Sequence, residues 1–490
     1  MSPTTTATAD PPHILVFPYP AQGHMLALLD LTHQLALRNF PITILTTPKN
    51  LPALSPLLSA HPTTVHPLVL PFPPHPDLPA GVENVKDVGN SGNIPIINAL
   101  GNLHDPIIHW FTSHPNPPVA LVSDFFLGWT EHLARRIDIP RVAFFSARAF
   151  LASMFDSCLT DFSKVSSLSA VDFHDLPRSP TFKQEHLPSV LRICSRKVTP
   201  ETEFVKGSLA ANGSSWGCVF NTFDALEGEY LRYLRNKLGH ERVYGVGPLS
   251  LIGFEERVVS ENRNHGGGGG SGSGGSGGVD VLEWLDGCPE DSVLYVCFGS
   301  QKLLSRAQME ALAFGLEKSR VRFIWVVKTG SAEQAAEGKG VVPEGFEERV
   351  GGRGLVIRGW APQVMIMSHR AVGGFVSHCG WNSVLEAAVA GVRILAWPME
   401  ADQHVNARLL VEDMGVAVRV CEGAEGVPDA VELGNVVAKA MREEAPEKVR
   451  AKELRDAARA AVREGGSSVK DLDELVRELC KLPKPVGRRE

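Results

Sequence analysis

An α/β protein of two doubly wound domains is the fold class that this sequence predicts, and three observations carry the expectation. The chain has 490 residues, more than one hydrophobic core usually supports, so size alone argues for two domains of roughly 200 to 250 residues each. Short apolar runs alternate with helical patterns twice along the chain, as parallel sheets built from βαβ units require. Between the two sets lies His265 to Gly278, HGGGGGSGSGGSGG, a tether with no means of building a core.

The first set opens with the apolar run His13 to Phe17 (HILVF), followed by the turn PYPAQG. Apolar residues at helical spacing follow from His24 to Leu37, which makes a strand, a loop and a helix. Strands are expected at Ile42 to Thr46, Val119 to Ser123 and Arg141 to Phe145, with a helix at Trp129 to Arg136. The second set begins at Ser292 to Phe298 (SVLYVCF), continues with a helix after Ser305, and has strands at Arg322 to Val327 and Gly354 to Arg358. The divisions are then a first domain at 1–250, a linker at 251–280, a second domain at 281–465 and a terminal segment at 466–490. In that segment Ser467 or Ser468 stands as a helix cap, with Asp471 near the first turn. Leu472, Leu475, Val476 and Leu479 line one face of a docking helix.

A net charge of −7 and the lack of a basic patch argue against a nucleic-acid surface, which must neutralise phosphates. The eight cysteines stand singly, without CxxC pairs or Cys/His metal spacing, and read as reduced thiols. No stretch reaches the 18 apolar residues of a membrane span, and MSPTTTATADPP lacks the features of a signal peptide. Cytoplasm is the expected compartment. Two short motifs match by spelling only. Gly270, Gly272 and Gly275 satisfy GxGxxG, but no strand precedes them and no helix opens within them. Gly213 to Gly217 satisfies GxSxG, but a helical pattern precedes the serine and a strand follows it, the reverse of a nucleophile elbow.

The chemistry concentrates in WAPQVMIMSHRAVGGFVSHCGWNSVLEAAVAGVRILAWPMEADQ, Trp360 to Gln403. A nucleotide sugar needs a flat stacking partner, an acceptor for ribose hydroxyls and donors for a diphosphate, and this block holds all three. The strand GGFVS runs into His378 and then a helix, whose first N–H groups at Asn382 and Ser383 suit phosphate without any lysine. His378 can donate to phosphate or to a loop carbonyl. Glu386 lies one turn beyond Asn382 and Ser383 and can accept from ribose hydroxyls, or be a solvated first-turn carboxylate. Trp360 can stack on uracil with Gln363 at its polar edge, or serve as core. Asp402 and Gln403, at a strand's C-terminal end, can bind vicinal sugar hydroxyls, or Asp402 can cap the next helix.

In the first half, His24 follows the first strand and opens the first helix, and Asp124 follows another strand. Histidine titrates near neutral pH, as a general base must, and a carboxylate at the neighbouring strand end can orient it. Each also has a plain alternative, a helix-start residue and a helix cap. Phe125, Phe126, Phe144, Phe145, Phe150, Met154 and Phe155 surround this centre as pocket wall or core.

The block from Trp360 to Gln403 resembles, over its full 44 residues, the signature box of plant family 1 UDP-dependent glycosyltransferases, and PAQGH, FGSQ and GGSS extend the likeness along the chain. The flavonol and hydroxybenzoate subgroup is the nearest in pattern. The resemblance implies the GT-B fold, two Rossmann-like domains with acceptor in the first and UDP-sugar in the second, and a terminal helix packed back on the first. It implies inverting, metal-independent transfer of glucose from UDP-glucose to a phenolic hydroxyl, with His24 as base and Asp124 as its partner. It also implies uracil bonding at the Ala361 backbone, Ser300 near the diphosphate, Ser146 near the donor sugar, and Asp402 and Gln403 on the sugar hydroxyls beside Trp381. Phe126 and Ala401, with His24, border the acceptor. Glutamine at the box's end goes with glucose donors, and UDP-rhamnose or a non-catalytic binding protein are the alternatives. No cofactor, metal or membrane is implied, and the chain is expected to be a monomer. Arg393 departs from the common proline after AGV, which bears on local packing.

Overall fold

The computed structural model describes residues 11–167, 169–252, 280–299, 301–442 and 445–484. The Gly/Ser tether and its GxGxxG spelling, and Ser300, lie outside the described residues.

Each half of the chain builds one parallel sheet. The first comprises β1 (Ile14–Phe17), β2 (Ile42–Thr46), β3 (Val65–Val69), β4 (Ala120–Asp124) and β5 (Arg141–Phe145). A small antiparallel hairpin, β6 (Ala170–Asp172) and β7 (Thr181–Lys183), precedes the last two strands, β8 (Gly217–Phe220) and β9 (Val243–Gly245). The second sheet comprises β10 (Val293–Cys297), β11 (Arg322–Val327), β12 (Gly354–Arg358), β13 (Val372–Ser377), β14 (Arg393–Ala396) and β15 (Ala417–Arg419). The spatial orders are β3-β2-β1-β4-β5-β8-β9 and β12-β11-β10-β13-β14-β15. Sheets covered on both faces need strands apolar on both faces. Accordingly Leu15, Phe17 and Leu121 join one buried cluster while Ile14, Val16 and Val122 join the other. In the second sheet Tyr295, Ile324 and Phe375 point one way and Leu294, Phe323 and Trp325 the other.

The strand order reverses between β1 and β4 and again between β10 and β13. At such a switch point the flanking connections leave on opposite faces and open a crevice at the strands' C-terminal ends. His24 follows β1 and Asp124 ends β4; Gly299 follows β10 and His378 follows β13. The two crevices face one another.

The terminal helix, Ser467–Cys480, lies on the first sheet, with Leu472, Leu475 and Leu479 buried in its core. Neither expected serine caps it. Gly466 takes the cap position, and Ser468, inside the first turn, donates its hydroxyl to the Gly247 carbonyl at 2.5 Å. Asp471 lies beyond the first turn and accepts from the Gly245 N–H at 2.7 Å and from Arg235 at 3.2 Å, so it serves the interface with β9. The GxSxG segment runs from a helix into β8, and Ser215 accepts from Arg141 rather than facing a base. Arg393 starts β14 almost fully buried and donates to the carbonyls of Gly373 and Ala440, which replaces the packing of a proline by a cationic tie across the domain.

Candidate active site

A cleft of about 1510 Å³ runs between the two sheets. His24, Phe126, Ser146, Trp360, Ala361, Gln363, His378, Trp381, Asn382, Ser383, Glu386, Ala401, Asp402 and Gln403 all line it. Asp124 does not; it is fully buried behind His24. Of the apolar residues near the centre, Phe125, Phe126 and Phe155 reach the cleft. Phe144, Phe145, Phe150 and Met154 belong to the core.

His24 sits in the first turn of the helix Gln22–Ala36, and its Nδ1 lies 3.0 Å from Oδ2 of Asp124. With Nδ1 donating to that carboxylate, the lone pair rests on Nε2. Phe125 stacks on the imidazole at 5.3 Å, and Phe126 and Tyr19 close on it at 4.8 and 5.3 Å, which fixes the ring plane. The second oxygen of Asp124 accepts the Phe126 N–H at 2.9 Å, so the carboxylate caps the short turn Phe125–Leu127 while it holds the histidine. The expected cap of the helix at Thr130–Arg136 is therefore displaced to this earlier turn. Behind Asp124, the buried Arg141 donates to its main-chain carbonyl at 3.2 Å, to Ser123, to Asn212 and to Ser215. Burial pulls the Arg141 guanidinium down to about 10, which leaves it charged at neutral pH.

On the opposite wall, β13 ends at Ser377, and Gly380 starts the helix Trp381–Ala390. His378 fills the turn between them. Its Nδ1 has no hydrogen-bond partner within the protein, and burial lowers the imidazole to about 4, so a neutral ring stands beside unpaired first-turn N–H groups. Gly299 adopts φ +74°, and a Cβ there would lie 2.9 Å from that ring, so β10 can approach His378 only through a glycine. Glu386 accepts from Gln363 at 2.7 Å, and Tyr295 donates to the other end of the same amide at 3.3 Å. The Gln363 NH₂ also donates to the Ser383 hydroxyl at 3.3 Å, so three groups orient this amide, and the indole of Trp360 nearby in the sequence is half exposed.

Two of the expected sugar ligands have part of their capacity engaged elsewhere. The Gln403 amide oxygen accepts the N–H groups of Met399 and Glu400, each at 3.0 Å, so only its NH₂ remains for a ligand. The Trp381 Nε1–H donates to the Asn221 carbonyl of the first domain at 2.8 Å, so only its ring faces the cleft. Asp402 accepts from Asn406 at 3.0 Å without capping its helix, and burial raises its carboxyl. Ala401, at φ +56°, exchanges bonds with Ser189 across the domains.

Tyr295, Arg148 and Asn221 do not stand out in the sequence. Tyr295 sits within an apolar strand run. Arg148 is 1% exposed, pairs with Glu227 at 2.8 Å, donates to Val405 of the second domain at 2.9 Å and lies over the Trp381 ring. A buried arginine so placed requires a distant acid, and Glu227 is the visible signal only once both are located.

Two parallel-sheet domains opposed across such a cleft define the GT-B architecture, a class of glycosyltransferases that use nucleotide sugars. The family profile described as UDP-glucoronosyl and UDP-glucosyl transferase matches residues 272–443. UDP-glycosyltransferase 89A2 of Arabidopsis thaliana is 54% identical over 98% of both chains, and the Arabidopsis flavonol 3-O-glucosyltransferase UGT89B1 is 47% identical over 96% of both. The crystal structure of Arabidopsis UGT89C1 complexed with UDP-L-rhamnose is 38% identical, covers 96% of this chain and 100% of its own, and has a TM-score of 0.76. The same enzyme has also been solved with quercetin. The chain belongs to the plant family 1 UDP-glycosyltransferases.

Proposed function

We propose that the protein transfers glucose from UDP-glucose to a hydroxyl of a small phenol, flavonoid or simpler, with inversion and without a metal or other cofactor. It acts as a cytoplasmic monomer. The observation that carries the mechanism is the 3.0 Å bond from His24 to Asp124 at the cleft wall facing the start of the helix Trp381–Ala390.

The acceptor hydroxyl gives its proton to His24 Nε2 as its oxygen attacks the anomeric carbon from the face opposite UDP. The Asp124 carboxylate stabilises the imidazolium that forms. As the bond to UDP breaks, negative charge grows on the diphosphate, where the first-turn N–H groups of Asn382 and Ser383 and the neutral His378 donate. Uracil stacks on Trp360, with Gln363 and the Ala361 backbone at its edge, and Glu386 accepts from the ribose. Ser300 approaches the diphosphate. Asp402 and the NH₂ of Gln403 bind the sugar hydroxyls, with Ser146 and the Trp381 ring beside them. Phe126 and Ala401 border the acceptor. The names of the relatives support a flavonoid acceptor, and UGT89C1 with UDP-L-rhamnose supports a rhamnose donor as the second reading.

Incubating the protein with UDP-glucose or UDP-rhamnose and a panel of phenols, and reading product mass, separates these. Glucosides as the main products are expected. Rhamnosides would replace the donor assignment, and no UDP release with any acceptor would overturn the catalytic one.

A further inference from the structure

Outside the cleft, three metal-ligating side chains meet where the domains touch. His186 stands on the turn after β7, His404 on the helix Gln403–Arg408, and Glu422 just beyond β15. One ligand atom from each lies within 4.8 Å of the others. The two imidazoles stack with centroids 4.3 Å apart and planes 7° from parallel. His404 is 6% exposed.

We propose that His186, His404 and Glu422 form a divalent transition-metal site, of the class taken by Zn²⁺, bridging the two domains. Two imidazoles and a carboxylate match the preference of Zn²⁺. Bonds of about 2.0–2.2 Å bring tetrahedral ligand atoms to roughly 3.4 Å, so the three contract by up to about 1.4 Å, and because a metal lies in the plane of each imidazole that binds it, the His186 ring also turns out of its stack on His404. His186 on a surface turn and Glu422 beyond a strand end can make that movement. Three charged neighbours face the cluster. Lys183 lies 3.6 Å from the Glu422 oxygen that the metal takes, Arg419 holds the other oxygen at 3.1 Å, and Glu185 lies 3.7 Å from His186 and can supply a fourth ligand. The metal therefore displaces the Lys183 ammonium and keeps the Arg419 pair. His404 follows Gln403 and His186 precedes Ser189 by three residues, so an occupied site clamps the seam on which Ala401 rests.

Titration calorimetry of the full chain with ZnCl₂, without substrates, tests the site. One Zn²⁺ per chain is expected, with at least tenfold weaker binding in His404→Gln and in Glu422→Gln, each first shown by circular dichroism to be folded. Lys183→Met removes the competing cation and tightens binding several-fold. Zn²⁺ raises the melting temperature of the wild type and not that of His186→Gln, as a bridge between domains requires. Co²⁺ gives nitrogen and oxygen ligand-field bands without thiolate charge transfer. Unchanged Zn²⁺ affinity in both the His404 and Glu422 variants, a thiolate band with Co²⁺, or no binding at all overturns the proposal.

Discussion

At the scale of single residues, one hydrogen bond joins His24 to Asp124 and three aromatic neighbours fix the ring plane, and the proposed base rests on that geometry. Replacing His24 by alanine is expected to lower kcat about 100-fold to 10,000-fold while UDP affinity, measured by calorimetry, stays within a few-fold. A His24→Ala enzyme of near wild-type rate removes the base assignment. Gln403 invites a subtler expectation, because its oxygen already braces the Met399–Glu400 turn. Gln403→His keeps at most part of that brace, and the ratio of UDP-glucose to other donors should change in competition assays. An unchanged ratio means that the amide does not select the sugar. Much of this chemistry was legible in the chain, because polar residues directly after apolar strand runs are conspicuous. Tyr295 was not, since a tyrosine inside VLYVC is indistinguishable from core until Gln363 is found beside its hydroxyl.

Among the elements, strand ends carry most of the candidate site, and strands were the best-read part of the sequence. Ile42–Thr46, Arg141–Phe145, Arg322–Val327 and Gly354–Arg358 stand where their apolar runs place them. Caps were read less well, because a serine's partner depends on what the helix packs against, as Ser468 and the Gly247 carbonyl illustrate. Arg148 and Glu227 tie the helix Ala149–Thr160 to the helix Asp224–Leu238 and reach Val405 beyond them. Glu227→Ala leaves that guanidinium buried without its carboxylate and should cost about 3–5 kcal/mol in denaturant unfolding. A loss below about 1 kcal/mol shows that the site relaxes or admits water. The turn after β13 makes a pH prediction. The unfolded chain protonates His378 near 6.5 and the folded chain near 4. Between those values the unfolded state binds more protons, so this contribution is complete above pH 6.5 and lost as pH falls towards 4, by up to about 3 kcal/mol. His378→Asn should flatten the stability profile across that window; an unaltered slope assigns the effect to other groups.

For the whole molecule, two similar sheets arise because each half repeats the same alternation, and that repetition was plain in the sequence. How the halves meet was not, since contacts such as Asn382 to Gly23 at 3.0 Å and Trp381 to Asn221 join residues 359 and 160 positions apart. The terminal helix belongs to the first sheet's core, so a chain ending at residue 466 should uncover Leu472's partners and lose the contribution of three buried leucines, about 1.5–3 kcal/mol each. Such a truncation should aggregate on expression or unfold at lower denaturant; an equally stable product contradicts the core role. The helix has a mechanical meaning as well. The polypeptide returns from the second domain to the first between Ala461 and Ser467, and Leu472, Leu475 and Leu479 anchor it there. That short crossing reaches at most about 20 Å when fully extended, so the last helix is a clasp: the second domain cannot draw farther from the first without pulling three leucines out of their core.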